Sequence, residues 1–308
     1  MSVSVFIDGA VGTTGLEIRE RLEGRGEIRL LTIPDAHRKD PAARRDAIND
    51  AQFVILCLPD DAAREAVALI DNDRTRVIDA STAHRIADGW TYGMAELEPA
   101  QPALIAAAAR VANPGCYPTG FLALVRPLVR AGLIPVDWPL SVHAVSGYSG
   151  GGRSMIEEYA AGSAPAWRGY GLGLAHKHVA EMQRHARIEH PPLFQPAVAN
   201  TYRGMVVEVP LPLFAMPRHA TLPAIETVLH DAYRDSPVVR VAAADSDALP
   251  IEADAGSDRL TIRVFGNAAT GQARLVATLD NLGKGAAGAA VQNLNIMAGF
   301  DPAAGLIL

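Results

Sequence analysis

The chain has 308 residues, of which 49% are hydrophobic and 20% are charged, a composition typical of a globular protein with roughly two domains. Its formal net charge is −6 and it has no long run of lysine or arginine, which excludes the charge pattern of a nucleic-acid-binding protein. No apolar run approaches the roughly 20 residues of a membrane-spanning helix, and no signal peptide is recognisable. Two cysteines in unlike contexts make no disulfide framework, so we expect a cytoplasmic protein without nucleic-acid or membrane partners.

Strand and helix patterns alternate through the first third of the chain. The run at residues 53–58 is apolar throughout, as in a central parallel strand buried on both faces, and Cys57 inside it is interpreted as a core residue. Such alternation predicts an α/β fold built on a Rossmann-type, doubly wound parallel sheet. We predict strands at residues 3–7, 28–33, 53–58 and 77–79, and helices at 16–22 and 64–70.

A glycine-rich turn, GAVGTTG at residues 9–15, separates the first strand from the first helix. Glycines let the main chain approach a pyrophosphate, and the helix N-terminus supplies N–H groups and a favourable dipole. A turn without a ligand has the same composition, so the strand–turn–helix order carries the prediction of dinucleotide binding. The residues expected to contact the dinucleotide here are Gly9, Gly12, Thr13, Thr14 and Gly15.

The residues about 20 positions further on bear on the choice of dinucleotide. A ribose-binding acid predicts NAD at this place, and an arginine that accommodates the 2′-phosphate predicts NADP. Arg38 and Lys39 favour NADP, whereas Asp35 leaves NAD possible.

The segment NPGCYPTG, residues 113–120, places Cys116 on a tight turn before an apolar helix pattern at 121–133. Pro118 fits the first turn of a helix, where a missing N–H costs nothing. The positive end of a helix lowers the pKa of a cysteine thiol, and the thiolate is the nucleophilic form. Cys116 is therefore either a nucleophile or, like most free cysteines, a small buried residue. Pro127 should kink this helix or split it in two.

Longer, alternating strands follow in the second half, and they predict a mixed or antiparallel sheet with helices on one face. These strands are expected at residues 140–145, 194–198, 205–211, 259–264 and 272–279. A last helix at 286–298 is expected to return to the first domain. We therefore predict a cofactor domain at residues 1–115, completed by the C-terminal helix at about 284–308, and an α+β catalytic and oligomerisation domain at 116–283.

His176 and His178 lie about 60 residues after Cys116. No second cluster of ligand residues accompanies them at metal-binding spacing, so we expect no metal site. An imidazole that takes the thiol proton and protonates a leaving oxygen is the more economical interpretation, although each histidine alone could be an ordinary surface residue. We favour His176 as the base, with His178 lining the same pocket.

A glycine-rich stretch at residues 146–154, ending in Arg153 and Ser154, follows the strand at 140–145. We expect a loop whose free N–H groups, together with the Arg153 guanidinium, hold a phosphate or carboxylate. Arg85 and Arg203 are weaker anion-binding candidates.

Taken together, these segments resemble the N-acetyl-gamma-glutamyl-phosphate reductase family in its shorter form. The resemblance rests on six motifs, which follow the family's order: GAVGTTG at 9–15, YGMAEL at 92–97, NPGCYPT at 113–119, SGYSGGGR at 146–153, HKH at 176–178 and DNLGKGA at 280–286. The sequence HKHVAE departs from the HRHTPE or HRHLPE expected of the longer form, which leaves the identity of the base open.

The resemblance implies a semialdehyde-dehydrogenase-like fold and an arginine-biosynthesis enzyme, a homodimer or homotetramer. In such an enzyme Cys116 attacks the acyl phosphate, releases inorganic phosphate and forms a thioester, which NADPH reduces to the semialdehyde. The motifs and the resemblance together assign catalysis to Cys116, His176 and His178. They assign cofactor binding to Gly9, Gly12, Thr13, Thr14, Gly15, Arg38, Lys39, Ser81 and Asn281. They assign substrate binding to Asn113, Ser146, Gly147, Arg153, Arg85 and Arg203.

Two other classes of protein remain as alternatives. One is another acyl-phosphate reductase of the same fold, either aspartate-semialdehyde dehydrogenase or the aminoadipate-type reductase of lysine biosynthesis. The Tyr-Pro-Thr after the cysteine argues against the first of these. The other class is a non-catalytic, NADP-sensing regulator, which would have no need of Cys116 and the histidines together.

Overall fold

The computed structural model describes residues 2–38, 40–217 and 220–308. The chain forms two compact units that are not continuous in sequence. The first unit contains Met1–Ala95, Ala100–Pro114 and Ala286–Leu306, and the second contains Glu96–Pro99, Gly115–Gly285 and Ile307–Leu308.

The strands are β1 Val3–Asp8, β2 Ile28–Leu31, β3 Phe53–Leu56, β4 Arg76–Asp79, β5 Thr91–Tyr92, β6 Arg110–Ala112, β7 Ser141–Gly147, β8 Trp167–Gly169, β9 Leu193–Ala199, β10 Met205–Leu211, β11 Val239–Val241, β12 Leu260–Asn267 and β13 Gln272–Leu279. The α-helices are α1 Thr13–Leu22, α2 Pro41–Asp50, α3 Asp60–Ala68, α4 Gln101–Ala107, α5 Cys116–Arg130, α6 Gly152–Ala160, α7 His178–Ala186, α8 Leu222–Tyr233 and α9 Gly288–Ala298. A π-helix, Gly283–Ala287, precedes α9.

The sheet of the first unit is parallel, with the strand order β2-β1-β3-β4-β6-β5. The chain leaves β1 in one direction for β2 and returns on its other side for β3, so the strand order reverses next to β1. Ligands of open α/β sheets bind at such a reversal, outside the carboxyl ends of the strands. The predicted α/β fold class is confirmed, and the predicted strand at 53–58 ends earlier, at Leu56.

The core of the first unit joins the start and the end of the sequence. Val5, Ile55 and Ile78 of the central strands pack in one cluster with Val291 and Leu294 of α9. Ten successive residues of α9 are buried, so this helix has no polar face turned to water. It therefore completes the hydrophobic core of the first unit.

The second unit is built on a mixed sheet with the strand order β11-β12-β13-β10-β7-β9-β8. The central pairs β12–β13, β13–β10 and β10–β7 are antiparallel, while β7–β9 and β11–β12 are parallel. Helix α5 packs on β10 and β13 and also contacts α7 and α8. Alternation along β7, with buried Val142 and Ala144 beside exposed His143, shows that one sheet face is covered by helices and the other is more open.

Helix α5 runs without a break through Pro127, so the predicted split at this residue is wrong. A proline has no N–H to give to the carbonyl four residues earlier, which here belongs to Ala123. The Tyr233 hydroxyl, at the end of α8, donates to that carbonyl oxygen at 2.7 Å. A side chain from a neighbouring helix therefore replaces the lost helical hydrogen bond.

We expect Tyr233→Phe to lower the free energy of unfolding by about 1–3 kcal/mol, because it leaves the buried Ala123 carbonyl without a donor. Adding Pro127→Ala supplies a helical N–H to the same carbonyl, so the double variant should recover much of the loss. Urea-induced unfolding measures both, with Tyr202→Phe at a more exposed tyrosine as the matched control. An equal loss from Tyr233→Phe in the wild-type and Pro127→Ala backgrounds would contradict this account.

Candidate active site

The turn after β1 brings the main chain of the first unit very close to itself. Gly9 has a φ of +90°, and a Cβ there would lie 2.3 Å from the carbonyl oxygen of Cys57. A Cβ at Gly15 would lie 2.4 Å from the carbonyl oxygen of Gly9. Helix α1 then begins with Gly12 as its N-cap and with no capping side chain. Its first N–H groups are therefore available to an anion, as in dinucleotide-binding turns.

A cavity of about 420 Å³ opens beside this turn and is lined by Gly9, Leu31, Arg38 and Arg44 among others. The Arg44 guanidinium, from α2, lies 2.7 Å from the carboxylate of Asp8, the last residue of β1. Arg38, a predicted cofactor residue, is exposed at the cavity.

The turn and the cavity offer N–H groups, apolar walls and guanidinium groups, which fit a phosphorylated dinucleotide. Of the other residues that bore on the choice of cofactor, Lys39 and the side chain of Asp35 lie outside the described part of the structure.

Cys57 is the second cysteine and it borders this turn. Burial raises the pKa of its thiol to about 12, and the charges of Asp79 and Asp8 act in the same direction. Since the thiolate is the reactive form, Cys57 is an inert thiol at neutral pH.

Ser81 and its neighbours form a hydrogen-bonded loop after β4. The Ser81 hydroxyl donates to the Asp79 carboxylate at 2.7 Å, and Nδ1 of His84 lies 2.6 Å from the same oxygen. The His84 ring stacks on Trp90 with 4.1 Å between ring centroids. The fully buried Asp79 therefore fixes the loop that carries Ser81 and Arg85.

Arg85 and Asn113, two predicted substrate residues, are buried in the first unit. The Arg85 guanidinium donates to the carbonyl oxygens of Asn113 at 2.9 Å and Ala80 at 3.0 Å. The Asn113 amide donates to the Ala286 carbonyl at 3.0 Å and accepts from the Asn293 amide at the same distance. Both side chains hold main chain and neighbouring side chains together in the first unit.

Cys116 is the first residue of α5 in the second unit, as the sequence predicts, and Gly115 is the N-cap. Because glycine has no capping side chain, the cap comes from elsewhere: the Glu181 carboxylate of α7 accepts the Gly115 N–H at 2.8 Å. On another side, a Cβ at Gly285 would lie only 2.9 Å from Cβ of Cys116. The cysteine is thus placed by a carboxylate cap and by a closely approaching glycine.

The two predicted histidines share the surroundings of Tyr117, the residue next to Cys116. Ring centroids of His176 and His178 lie 6.4 Å and 5.9 Å from that of Tyr117, and 4.7 Å from each other. Nδ1 of His176 accepts the main-chain N–H of His178 at 3.1 Å, so a neutral His176 carries its proton on Nε2. Burial lowers the pKa of His176, and the charge of Lys177 lowers it further.

Two tyrosines complete this part of the site. The hydroxyls of Tyr117 and Tyr170 lie 3.2 Å apart, and the Tyr117 hydroxyl donates to the Ala197 carbonyl at 3.0 Å. Burial raises the pKa of Tyr170 to about 12 and that of Tyr117 well above its usual value, and the charge of Cys116 contributes to both shifts. Both phenols are therefore neutral hydrogen-bonding groups near Cys116 at neutral pH.

The stretch at 146–154 differs from the expected loop. Ser146 and Gly147 end β7, a 3₁₀ turn follows over Tyr148–Gly151, and Arg153 is exposed in the first turn of α6. The glycines therefore lie in a 3₁₀ turn that leads into α6, and not in a loop with free N–H groups.

Asn281 ties this region to its neighbours in the second unit. Its amide donates to the Ser149 hydroxyl at 2.8 Å, and its carbonyl oxygen accepts the Gly204 N–H at 3.0 Å. The Arg203 guanidinium lies 3.4 Å from the buried Asp280 carboxylate. The loops that carry Asn281, Arg203 and the 3₁₀ turn are therefore held together by side-chain hydrogen bonds and charge.

Three residues of these sites were not singled out from the sequence: Glu181, Tyr170 and Arg44. Glu181 follows His178 at helical i,i+3 spacing, a signal that the two side chains share one face of a helix. Tyr170 lies six residues before His176 with no regular spacing to reveal it. Arg44 stands next to Arg45 in the sequence, and its ion-pair partner Asp8 lies 36 positions earlier.

Within residues 2–38, 40–217 and 220–308, no helix combines the length and the apolar composition needed to cross a membrane. The described part of the chain also contains no group of three histidine, cysteine, aspartate or glutamate side chains arranged to hold a metal ion.

Comparison with known proteins agrees with this two-part architecture. Residues 4–105 match the family model described as the NAD binding domain of semialdehyde dehydrogenases, and residues 116–281 match the model of their dimerisation domain. A probable aspartate-semialdehyde dehydrogenase from Pseudomonas aeruginosa has a similar structure, with a TM-score of 0.73 at 18% identity over 97% of this chain and 99% of that one. The two family matches, together with the fold, define a protein of the semialdehyde dehydrogenase class.

Relatives in sequence narrow this class. The N-acetyl-gamma-glutamyl-phosphate reductase 2 of Pseudomonas putida is 51% identical over 305 residues, which cover 96% of each chain. The N-acetyl-gamma-glutamyl-phosphate reductase of a Chelativorans species is also 51% identical, over 96% of this chain and 98% of that protein. The chain belongs to the N-acetyl-gamma-glutamyl-phosphate reductase family, as its motifs indicate.

We expect His176 to be a neutral ring with its proton on Nε2 at pH 7, and to have a pKa below that of free histidine, because burial and Lys177 disfavour the imidazolium. Two-dimensional ¹H–¹⁵N NMR of histidine-labelled protein measures both, and the spectrum of His176→Asn assigns the signals. A proton found on Nδ1 would refute the hydrogen bond from His178, and a pKa above that of free histidine would refute the effect of burial and Lys177.

Proposed function

We propose that this chain catalyses the NADPH-dependent reduction of N-acetyl-gamma-glutamyl phosphate to N-acetylglutamate semialdehyde and inorganic phosphate, a step of arginine biosynthesis. The chain is an oxidoreductase of the reductase family named for this acyl phosphate. The observation that carries the proposal is Cys116 at the start of α5, with Glu181 on its N-cap and the two histidines around its neighbour Tyr117. A regulator that only sensed NADP would need none of these groups.

The cofactor is assigned to the predicted cofactor domain, residues 1–115 with the C-terminal helix, which shares most of its residues with the first unit. Gly9, Gly12 and Gly15 would admit the pyrophosphate to the N-terminus of α1, with Thr13 and Thr14 in its first turn. Arg38, together with Arg44 in the same cavity, would hold the 2′-phosphate that distinguishes NADP from NAD. When bound, NADPH supplies the hydride of the reaction.

Catalysis is assigned to residues 116–283. The Cys116 sulfur attacks the carbonyl carbon of the acyl phosphate; a carbon–sulfur bond forms, the carbon–oxygen bond to phosphate breaks, and inorganic phosphate leaves. The resulting thioester accepts a hydride at the same carbon. When the carbon–sulfur bond breaks, the aldehyde is released and the thiolate of Cys116 returns. Two easier steps thus replace one difficult step, the usual advantage of a covalent intermediate.

The hydrogen bond between the histidines divides the proton chemistry. His176 presents Nε2–H and can donate it to the oxygen that becomes negative when hydride adds to the thioester. This geometry favours His178 as the acceptor of the thiol proton, although the sequence favoured His176. The Glu181 carboxylate, one helical turn from His178, would stabilise the imidazolium that forms.

Substrate anions are assigned to the remaining candidates. Arg153 in the first turn of α6 and Arg203 beside Asp280 are the guanidinium groups of the second unit proposed to bind phosphate or carboxylate. Ser146 and Gly147 are proposed to shape this site through their main chain and hydrogen bonds. Asn113 and Arg85 of the first unit are also proposed as substrate residues. Asn281 is proposed as a cofactor contact.

Assembly is expected from the dimerisation-domain match. We propose a homodimer or homotetramer that uses the more open sheet face. Beside this face, around one cavity with His143, Trp167 of β8 is 62% exposed and Leu172 of the following loop is 84% exposed. Apolar surface of this kind is usually covered by another protein chain. Both cysteines are free, consistent with the proposed location in a reducing cytoplasm.

The function is tested in the reverse direction, by phosphate-dependent reduction of NADP with N-acetylglutamate semialdehyde. We expect activity with this substrate, weaker activity with NAD, and none without phosphate. Cys116→Ser should abolish turnover but leave NADP binding nearly unchanged, because the sulfur reacts only with the acyl group.

Aspartate semialdehyde and the aminoadipate-derived semialdehyde are the matched control substrates. Preference for either would assign the chain to one of the two related reductases. If Cys116→Ser kept more than a few per cent of the activity, the nucleophilic role of Cys116 would be refuted. Cys57→Ala is the control for any effect of modifying the other thiol.

The two histidines should differ in the step they slow. His178→Asn should slow acylation, followed as the burst of phosphate release from the acyl phosphate, because Cys116 loses its proton acceptor. His176→Asn should leave the proton acceptor in place and lower turnover by about 10²- to 10⁴-fold, the usual effect of losing a general acid. If His176→Asn abolishes the burst while His178→Asn preserves it, the roles are reversed.

A further inference from the structure

Lys284 is a buried lysine that the proposed reaction does not use. Its side chain is 2% exposed, and Nζ lies 2.8 Å from the carboxylate of Glu96, whose side chain is 7% exposed. Taking two charges out of water costs free energy that their attraction often fails to repay, and apolar residues of similar volume can be as stable. Stability alone is therefore a weak reason for this pair. What lies beside it indicates another role.

Lys284 is part of the π-helix Gly283–Ala287, a rare form that recurs at functional sites. The glycines on both sides of it are packed against other residues. A Cβ at Gly283 would lie 2.1 Å from the Ser257 carbonyl oxygen, and one at Gly285 would lie 2.9 Å from Cβ of Cys116. The main chain that carries Lys284 is thus a wall against which the cysteine packs.

Two contacts at Lys284 and Gly285 help to fix the position of this wall. The Gly285 N–H donates to the Asp280 carbonyl at 3.0 Å, which closes the turn locally. The ion pair with Glu96 ties the same turn to a segment 188 residues earlier, Glu96–Pro99 of the second unit. Without the pair, the turn would lose this long-range tie while the crowding at Gly285 remained.

The surroundings of Glu96 link it to α5 as well. The charge of Glu96 contributes, after burial, to the raised pKa of Tyr233, and Arg130 opposes that effect, so all three side chains lie near one another. Two residues further on, Glu98 accepts from Arg126 at 2.6 Å and pairs with Arg130 at 2.9 Å, both on the C-terminal half of α5. In this segment, Glu96 therefore pairs with the lysine of the wall beside Cys116, and Glu98 pairs with arginines in the C-terminal half of α5.

We propose that Lys284 and Glu96 are positioning residues for Cys116. Their ion pair holds the π-helix so that Gly285 confines the cysteine side chain to the orientation from which the sulfur attacks. The inference rests on the proposed function only in taking Cys116 as the nucleophile. Neither residue contacts substrate in this role, and each acts through the main chain of Gly285.

The test is Lys284→Met, which keeps the length of the side chain and removes its charge. We expect kcat to fall about 10- to 100-fold with KM nearly unchanged, since a displacement of about 1 Å at a reacting group has effects of this size. Alkylation of Cys116 by iodoacetamide, followed by mass spectrometry, should slow in parallel. If Lys284→Met left both kcat and the alkylation rate of Cys116 at their wild-type values, the proposal would be overturned.

Glu98→Gln is the matched control, since it disrupts the other carboxylate of the same four-residue segment, away from Cys116. It should lower the melting temperature but leave kcat and the alkylation rate unchanged. Equal losses of both rates in Glu98→Gln and Lys284→Met would show a general loosening of the fold and would count against positioning.

The double variant Lys284→Met with Glu96→Leu separates positioning from charge burial, and it also covers the case in which Lys284→Met fails to fold. We expect it to regain the melting temperature of the wild type while kcat and alkylation stay low. Full recovery of both rates would overturn the proposal. A Cys116→Ser enzyme that still turned over would refute the proposed function, yet the alkylation rates of wild type and double variant would still decide whether the pair positions Cys116.

Discussion

The N-terminus of α5 is the constraint on which the second unit depends, because a helix buried along its length begins there with Cys116. The first N–H groups of a helix have no partner inside it, and a glycine N-cap brings no side chain to help. The buried carboxylate of Glu181 accepts the Gly115 N–H instead. Glu181 shares α7 with His178, so the contact that satisfies the helix start also brings a histidine-bearing helix to the cysteine.

Close approach of main chain is the second device, and each unit uses it at its proposed site. Gly9, with a positive φ, lies against the Cys57 carbonyl and leaves a narrow turn at the end of β1. Gly285 lies against Cys116 itself. At both places a side chain would displace the neighbouring residue. The glycine is therefore needed for this close contact, and not for backbone flexibility. Neighbouring charges then fix the surroundings: Asp8 with Arg44 near the first glycine, and Glu96 with Lys284 beside the second.

The sequence predicted what depends on local pattern. The apolar strand at β3, the glycine turn before α1 and the helix start at Cys116 each follow from residues next to one another, and the structure has all three. What it could not predict depends on partners distant in the chain. The helix continues through Pro127 because Tyr233, 110 positions after Ala123, donates to the Ala123 carbonyl. In the sequence Glu181 and Lys284 look like ordinary charged residues. Only folding places one 2.8 Å from the Gly115 N–H and the other 2.8 Å from Glu96.

These contacts converge on one helix from start to end. Glu181 holds its first turn, Tyr233 repairs its middle, and Glu98 pairs with the arginines of its last turns. Because α5 is buried on every side from Tyr117 to Val129, it cannot shift at one end without disturbing packing along its length. The cysteine at its first position is therefore held by the packing of the whole core, a support that a cysteine on a surface loop would lack.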